Sequence, residues 1–545
     1  MAEVAERTAA EIFGDLAKSF NATPEQWASL EWRLDNLYWI VNKDGEAVRF
    51  QMNEQQRKFV RALWYRNIIL KARQIGFSTL LQVMQLDQAW MNANHNGVVI
   101  ADTLDNASKL FGKVEFAYEH LPQLLREAFP LASKAKGTGL SFAHPNEHEV
   151  PQPSSITVAV SSRGGTVQFL HISELGKISL KFPQRAAEIV TGAFQSVPKN
   201  GVIVVESTAE GAFGEFYDLC EPAMKRAEAG KPETMLDWRL HFFPWYEHSD
   251  YRLSDEDAKH VEIPDTLRSY FAKLEAELRI RLDANQRAWY AKVWETLGKK
   301  MKQEYPATPK EAFEQAIEGA VYGDQMTRLR EQGRLCVVPL DPNYPVNTFW
   351  DFGTADATAI WFHQQIGLQH RWFYYIEDTG KGLRHWWLDV CQAHRTRHRY
   401  SWGRHFLPHD ADAEILGEVV TTKHRILAEL GMGKEGNGSI VVVPRVQTIG
   451  QGIELTRKAL EGNHWFYDRI PDKDKGEDMG AGNGIKCLDG YQFAWNDKHG
   501  VWSNEPLHNW ASHGADAWRQ HAQGWSAPAD QQSLHKFINR DRRPR

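Results

Sequence analysis

The apolar positions of this chain fall into two kinds of run, and their alternation predicts its architecture. Short apolar stretches at Ile68-Ile69-Leu70, Gly97 to Ile100, Ile156 to Val160, Thr166 to Ile172 and Val202 to Glu206 read as buried strands. Between them, apolar residues at helical spacing predict helices over 80–93, 105–121 and 184–196. Strands alternating with helices, with polar residues gathered where the strands end, describe a parallel α/β sheet. Ligands of such sheets bind beyond the C-terminal ends of the strands.

Further on the pattern changes. Residues 2–20 carry helical spacing ahead of this sheet, and two charged helices are expected over 265–282 and 285–299. A second domain opens with a strand at 346–350. An antiparallel pair follows over 358–363 and 370–377, turning at Gly367, then a strand end at 406–410 and a helix over 510–520. The expected division is an N-terminal helical segment (1–49), a nucleotide-binding core (50–235), a lid or linker (236–335), a second α/β domain with a mixed sheet (336–525) and a basic tail (526–545). Residues 470–486 read as a charged, mobile loop.

Composition narrows the class. The 545 residues are too many for one ordinary core. With 42% hydrophobic and 25% charged residues the chain reads as soluble and globular, with no apolar run long enough to span a bilayer. A net charge of −6 excludes a global attraction to nucleic acid, so any such contact uses local patches. Cys220, Cys336, Cys391 and Cys487 lie far apart in no metal-ligand spacing, as free thiols in a reducing cytoplasm would. The 21 Trp are expected mainly in packing.

The candidate chemistry begins at Lys71-Ala-Arg-Gln-Ile-Gly-Phe-Ser-Thr79. A buried strand, a glycine turn and Ser78-Thr79 opening a helix form the setting of a phosphate-binding loop. In it backbone N–H groups and the helix dipole face the anion, and a hydroxyl reaches Mg²⁺. The same spacing also suits a plain turn between strand and helix. Phe77 stands where the strict pattern has Lys, so the cation must come from Lys71 or Arg73. Gln74 and Gly76 complete the loop. Gln56, three residues after Asn53, is the candidate for holding an adenine edge with its amide. Glu174 at a strand tip can polarise an attacking water, and Ser207-Thr208 at the next strand end can sense loss of the γ-phosphate. Ser173 stands where an Asp would help hold the metal.

Asp351, Asp410 and Asp516 sit on a first strand, a later strand end and a C-terminal helix, each beside apolar residues where an unpaired carboxylate is costly. Acids so placed can hold two divalent cations for phosphodiester hydrolysis. Asp356 and Asp412 are reserves for the same role.

Together these features resemble the large terminase subunit of tailed phages and prophages. The resemblance rests on Lys71 to Thr79, Leu170-His-Ile-Ser-Glu174, Ser207-Thr-Ala209 and the ordered Asp351, Asp410 and Asp516, and it spans roughly residues 50–525. It implies an ASCE-type P-loop ATPase with helices on both faces of a parallel sheet, joined to an RNase H-like nuclease. Arg73 then corresponds to a catalytic arginine, Glu174 to the general base and Ser207/Thr208 to a coupling motif. ATP with Mg²⁺ serves the first domain, and two Mg²⁺ or Mn²⁺ serve the second. Further implied are double-stranded DNA as substrate, a small terminase subunit, the portal protein of a procapsid and a homo-oligomeric ring. The place of action is the host cytoplasm rather than the mature virion or a membrane. A P-loop helicase or repair nuclease unconnected with a capsid, and a catalytically inert assembly scaffold, are the other readings of the same motifs.

Overall fold

The computed structural model describes residues 14–15, 17–135, 137–143, 153–160, 165–313, 319–353, 357–415, 421–471, 479–496 and 501–525. The tail (526–545), Asp356 and residues 472–478 of the loop expected at 470–486 lie outside them, as does most of the helix expected over 2–20. The chain divides into two compact units, Met1–Gln315 and Ala316–Arg545.

The first unit is built on an eight-stranded sheet. Its strands are β1 (Arg66–Lys71), β2 (Asn96–Ile100), β3 (Leu131–Ala135), β4 (Gly139–Phe142), β5 (Ser154–Ala159), β6 (Phe169–Ser173), β7 (Val202–Ser207) and β8 (Arg239–Phe243). Their spatial order is β8-β1-β7-β6-β2-β5-β4-β3, parallel from β8 through β5 and antiparallel from there to β3. One strand, β7, therefore separates the loop-bearing β1 from the carboxylate-bearing β6. The additional strand is the feature that the ASCE name denotes. Alternate residues of β1 enter different cores. Ile69 packs with Leu80, Leu81 and Met84, whereas Ile68 and Leu70 pack with Leu175, Ile178 and Phe216. A strand covered on both faces has to be apolar throughout, which is why these strands were visible as continuous runs.

The helix α1 (Leu30–Leu37) is tied to the loop helix α2 (Phe77–Met91) by a buried ion pair. Arg33 donates from Nε and Nη2 to the two oxygens of Asp87 at 2.9 and 2.8 Å, and the Tyr38 hydroxyl donates to the same carboxylate at 2.7 Å. Residues 236–335, expected as a lid or linker, straddle the division between units. Arg239–Phe243 is the edge strand of the first sheet, and Met326 and Leu329 belong to a core of the second unit. Only one face of this edge strand is fully covered, so its apolar signal is too weak to read as a sheet strand. The helix expected over 184–196 also changes form, running as α-helix over Pro183–Glu188, then as a π-helical turn and a final 3₁₀ turn.

The second unit has a seven-stranded mixed sheet. Its strands are β9 (Leu335–Cys336), β10 (Val346–Asp351), β11 (Ala357–Ile366), β12 (Gln369–Thr379), β13 (Trp402–Leu407), β14 (Ser439–Val442) and β15 (His464–Tyr467). The order is β9-β15-β12-β11-β10-β13-β14, with β10, β11 and β12 antiparallel to one another in turn and the remaining pairs parallel. Three antiparallel strands followed by parallel strands beside the first form the RNase H-like arrangement. The helix α3 (Trp510–Gly524) covers one face, where Trp518 meets Phe349, Trp361 and Trp372. Trp386 and Trp387 cover the other with Trp350, Phe362 and Phe373. Among the described residues no helix is long and apolar enough to cross a membrane.

Candidate functional site

The loop after β1 turns in two left-handed steps, at Gln74 (φ 61°) and Gly76 (φ 82°). Gly76 is needed there: a Cβ would stand 2.9 Å from Nε2 of Gln56. Helix α2 begins at Phe77 directly behind it, so its free N–H groups open toward a cavity of 620 Å³ at the C-terminal end of the central strands. Lys71, Arg73, Ser78, Thr79, Glu174 and Thr208 line this cavity, with Gln74 and Gly76.

Gln56 does not face it as an adenine reader. Its side-chain oxygen accepts from the Asn53 N–H at 2.9 Å, closing a capping box, and its amide donates to the Gly76 carbonyl at 2.9 Å. Both ends are used in holding the loop, because an Asn and a Gln three residues apart before a helix are also a capping pair.

Phe77 fills the position of the usual loop lysine with an aromatic ring packed at 4.6 Å from Phe243 and 5.6 Å from Phe59. A buried cation stands instead at the end of β1. Lys71 is buried, its Nζ 3.4 Å from Oε2 of Glu206 and 3.8 Å from Oε1 of Glu174. Burial alone would depress this ammonium, but the carboxylates of Glu206 and Glu174 outweigh it and hold its pKa above the ordinary value. Arg73 is half exposed, with Nη1 3.3 Å from Glu304. A second cation, Lys113, donates to the Thr79 hydroxyl at 2.8 Å, and burial lowers its pKa. Nothing in its spacing within a helix marked it, since only the fold brings residue 113 to residue 79.

The centre of the cluster is Glu206, a fully buried acid next to last in the largely apolar strand β7. Ser78 donates to its Oε1 at 2.5 Å and Ser173 at 3.2 Å, and Nε2 of His171 lies 3.2 Å from the same oxygen. Burial opposes its charge, yet Lys71, His171 and the hydroxyls hold it far below the usual carboxylate range. Its Oε2 has no hydrogen-bond partner beyond the approach of Lys71. Glu206 thus places a carboxylate beside Ser173 from the neighbouring strand. The available signal was a charged residue inside a buried run.

Glu174 ends β6 in a left-handed conformation (φ 60°, ψ 44°), an uncommon state for a residue with a side chain. The turn aims its carboxylate at the cavity, 3.5 Å from Lys177. Ser207 accepts from the Gly176 N–H at 3.1 Å and so links the Ser207-Thr208 segment to the helix that follows Glu174. Close by, burial raises Glu210 to about 7.

In the second unit, Asp351 ends β10 and accepts from or pairs with Nδ1 of His513 at 3.1 Å. Asp516 stands three residues further along α3. Burial raises its pKa to about 6, Arg519 at 3.0 Å opposes the rise, and the charge of Asp351 adds to it. The fold therefore brings Asp351, His513 and Asp516 into one electrostatic group. Glu377 on β12 joins them: it lies opposite Ala359, which lies opposite Asp351, and burial raises its pKa while His513 acts against the rise. Sequence alternation had hidden it in an antiparallel strand. Asp410 leaves the sheet beside Asp351, since Phe349 pairs with Phe406, but its carboxylate is held by Lys423 at 2.6 Å. Asp412 lies 3.0 Å from His424. Among the described residues, Asp351, Asp410 and Asp516 do not form a group whose oxygens all lie within 4.8 Å of one another. The donors in both units are hard oxygens with incomplete hydrogen bonding, a set that fits Mg²⁺ or Mn²⁺.

No family model matches the chain, and no curated protein matches it. Several solved structures are similar to it. The large terminase ATPase domain of Thermus phage P74-26 is 17% identical over 47% of this chain and 94% of its own, with a TM-score of 0.29. The large terminase of the thermophilic bacteriophage D6E, in complex with ATP-gamma-S, is 11% identical over 86% of this chain and 98% of its own, at 0.29. The large terminase nuclease domain of bacteriophage SPP1, with bound Mn, is 13% identical over 32% and 84%, at 0.22.

Proposed function

We propose that this chain is the large subunit of a phage DNA-packaging motor, with an ATPase in its first unit and a metal-dependent endonuclease in its second. The observation that carries the ATPase reading is the convergence of Lys71, Ser78, Glu174 and Glu206 at the mouth of a loop whose helix N-terminus faces the 620 Å³ cavity. Lys71 neutralises the transferred phosphate and Arg73, on the exposed rim, adds charge where the leaving oxygens develop it. Glu174 orients and takes the proton of the attacking water. Ser78 and Thr79 offer hydroxyls, with Glu206 fixing Ser78 and, by the oxygen that Lys71 approaches, placed to support Mg²⁺. That Mg²⁺ would supply charge neutralisation of the phosphates. The link from Gly176 to Ser207 gives the loss of the γ-phosphate a path into the following helix.

In the second unit, Asp351 and Asp516, supported by Glu377 and His513, would hold divalent cations that activate water against a phosphodiester. Asp410 joins them on release from Lys423. The motor reading follows the motif resemblance. ATP-driven movement of double-stranded DNA proceeds through a portal ring, with a small subunit selecting the DNA, subunits acting as a ring, and the work done in the host cytoplasm before the virion matures. The test is ATP-dependent protection of linear DNA from added nuclease in the presence of portal-bearing procapsids. Protection by the wild-type chain and none by Glu174→Gln is the expected result. ATP hydrolysis that is indifferent to DNA and to procapsids would assign the chain to another task.

A further inference from the structure

The second unit holds a group of histidines that neither proposed active site uses. His363 on β11, His370 on β12 and His521 on α3 each place a ring nitrogen within 4.8 Å of those of the other two. Nε2 of His363 and Nδ1 of His370 are 3.0 Å apart. Two ligands of a tetrahedral ion bound at zinc–nitrogen distances stand about 3.3 Å apart, so this spacing needs little adjustment. His521 is only 4% exposed, and neither of its ring nitrogens has a hydrogen-bond partner. A buried imidazole with both nitrogens unanswered costs free energy that a ligand bond would recover.

From this geometry we propose that His363, His370 and His521 bind one borderline divalent ion of the zinc class, with water in the remaining position. Such a site staples the C-terminal part of α3 to the β11–β12 hairpin. Two features favour it over a dry histidine cluster. His464, stacked on His370 at 4.6 Å, is already occupied, its Nδ1 by Trp372 at 3.0 Å and its other nitrogen by the Ala459 carbonyl, so it supports the ring without competing for the metal. The amide of Asn347 lies 3.5 Å from the remaining nitrogen of His363, too far to fix its tautomer. Among the described residues, the cation acting against the site is Arg404, whose guanidinium rests 4.4 Å over the Trp525 ring.

The site is separate from the carboxylates. Asn347 pairs with His363 and Asp351 with Ala359, so four residues of strand, roughly 13 Å, lie between them. Its ligands are imidazoles where the other site offers oxygen, so the two select different metals. Its role is mechanical: fixing α3 at His521 holds Asp516, five residues earlier, in place.

The full chain, stripped with a chelator and titrated with Co²⁺ alone, tests this. The expected result is a visible d–d absorption band of a four-coordinate nitrogen site that saturates at one equivalent and is displaced by Zn²⁺. The band is lost in His521→Ala and in His370→Gln and kept in Asp351→Asn. Zn²⁺ should also raise the melting temperature of the wild type and of Asp351→Asn but not of His370→Gln. His370 is partly exposed, so its variant decides the matter if His521→Ala does not fold. No band in the wild type, a band unchanged in His370→Gln, or a band lost in Asp351→Asn would each overturn the proposal.

Discussion

At the scale of single residues, the first unit depends on the partnership of Lys71 with Glu206. Lys71→Ala should reduce ATP hydrolysis a hundredfold or more, because one cation contact in a low-dielectric phosphate site contributes on the order of 3 kcal/mol to the transition state. Near-normal hydrolysis there, with Arg73→Ala inactive, would transfer the role to Arg73. Glu206→Ala should behave differently. It leaves Lys71 buried without its nearest counter-charge, so denaturant titration should show a loss of about 3–5 kcal/mol of stability as well as inactivity. Unchanged stability would place Glu206 outside the cluster's support. Lys71, Glu174 and Ser78 were legible in the sequence because each stands at a boundary between a patterned strand or helix and a turn. Glu206 and Glu377 were not, since each lies within a strand and only the sheet register shows what it faces. Gln56 was legible as a polar residue of consequence but not as a cap, because the same pair of amides serves both purposes.

Elements carry the next set of constraints. The continuous apolar strands of the first sheet and the antiparallel pair around Gly367 were readable because burial on both faces, or a turn between two runs, leaves a strong local pattern. The edge strand β8, the hairpin β3–β4 and the π-helical turn at Ile189–Ala193 were not, since partial exposure or tertiary packing determines them. The joint between α1 and α2 is equally silent in sequence, Arg33 and Asp87 being 54 residues apart. Asp87→Ala should cost about 3–5 kcal/mol by stranding the Arg33 guanidinium in the interior, read as a lower denaturation midpoint. A shift below 1 kcal/mol would mean that α1 is not part of the cooperative unit. On α3, Asp516 keeps its proton up to about pH 6 in the folded chain, against 3.8 for an ordinary aspartate. The folded state therefore binds this proton more tightly than the unfolded chain does. Its contribution is full below pH 3.8 and is lost as pH rises through 6. In chelator, Asp516→Asn should accordingly raise the melting temperature at pH 8 and have little effect at pH 4. Equal effects at both values would contradict the raised pKa that burial, aided by the charge of Asp351, gives Asp516.

For the whole molecule, the claim is that one chain carries two chemistries on two sheets, each with its own cores and its own acids. This division was visible as the change from alternating strand and helix to an antiparallel pair after residue 346. Its position was not, because the helix Gly323–Glu331 carries a pattern that suits either unit. The most direct test measures ATP hydrolysis and Mn²⁺-dependent cleavage of double-stranded DNA side by side in Lys71→Ala and Asp351→Asn. Asp351→Asn removes one charge at nearly constant volume, so the fold should survive. The account predicts a reciprocal result: Lys71→Ala loses hydrolysis by a hundredfold or more and still cuts, whereas Asp351→Asn hydrolyses ATP at the wild-type rate and no longer cuts. Loss of both activities in either variant, or cleavage that persists in Asp351→Asn and Asp516→Asn alike, would contradict it.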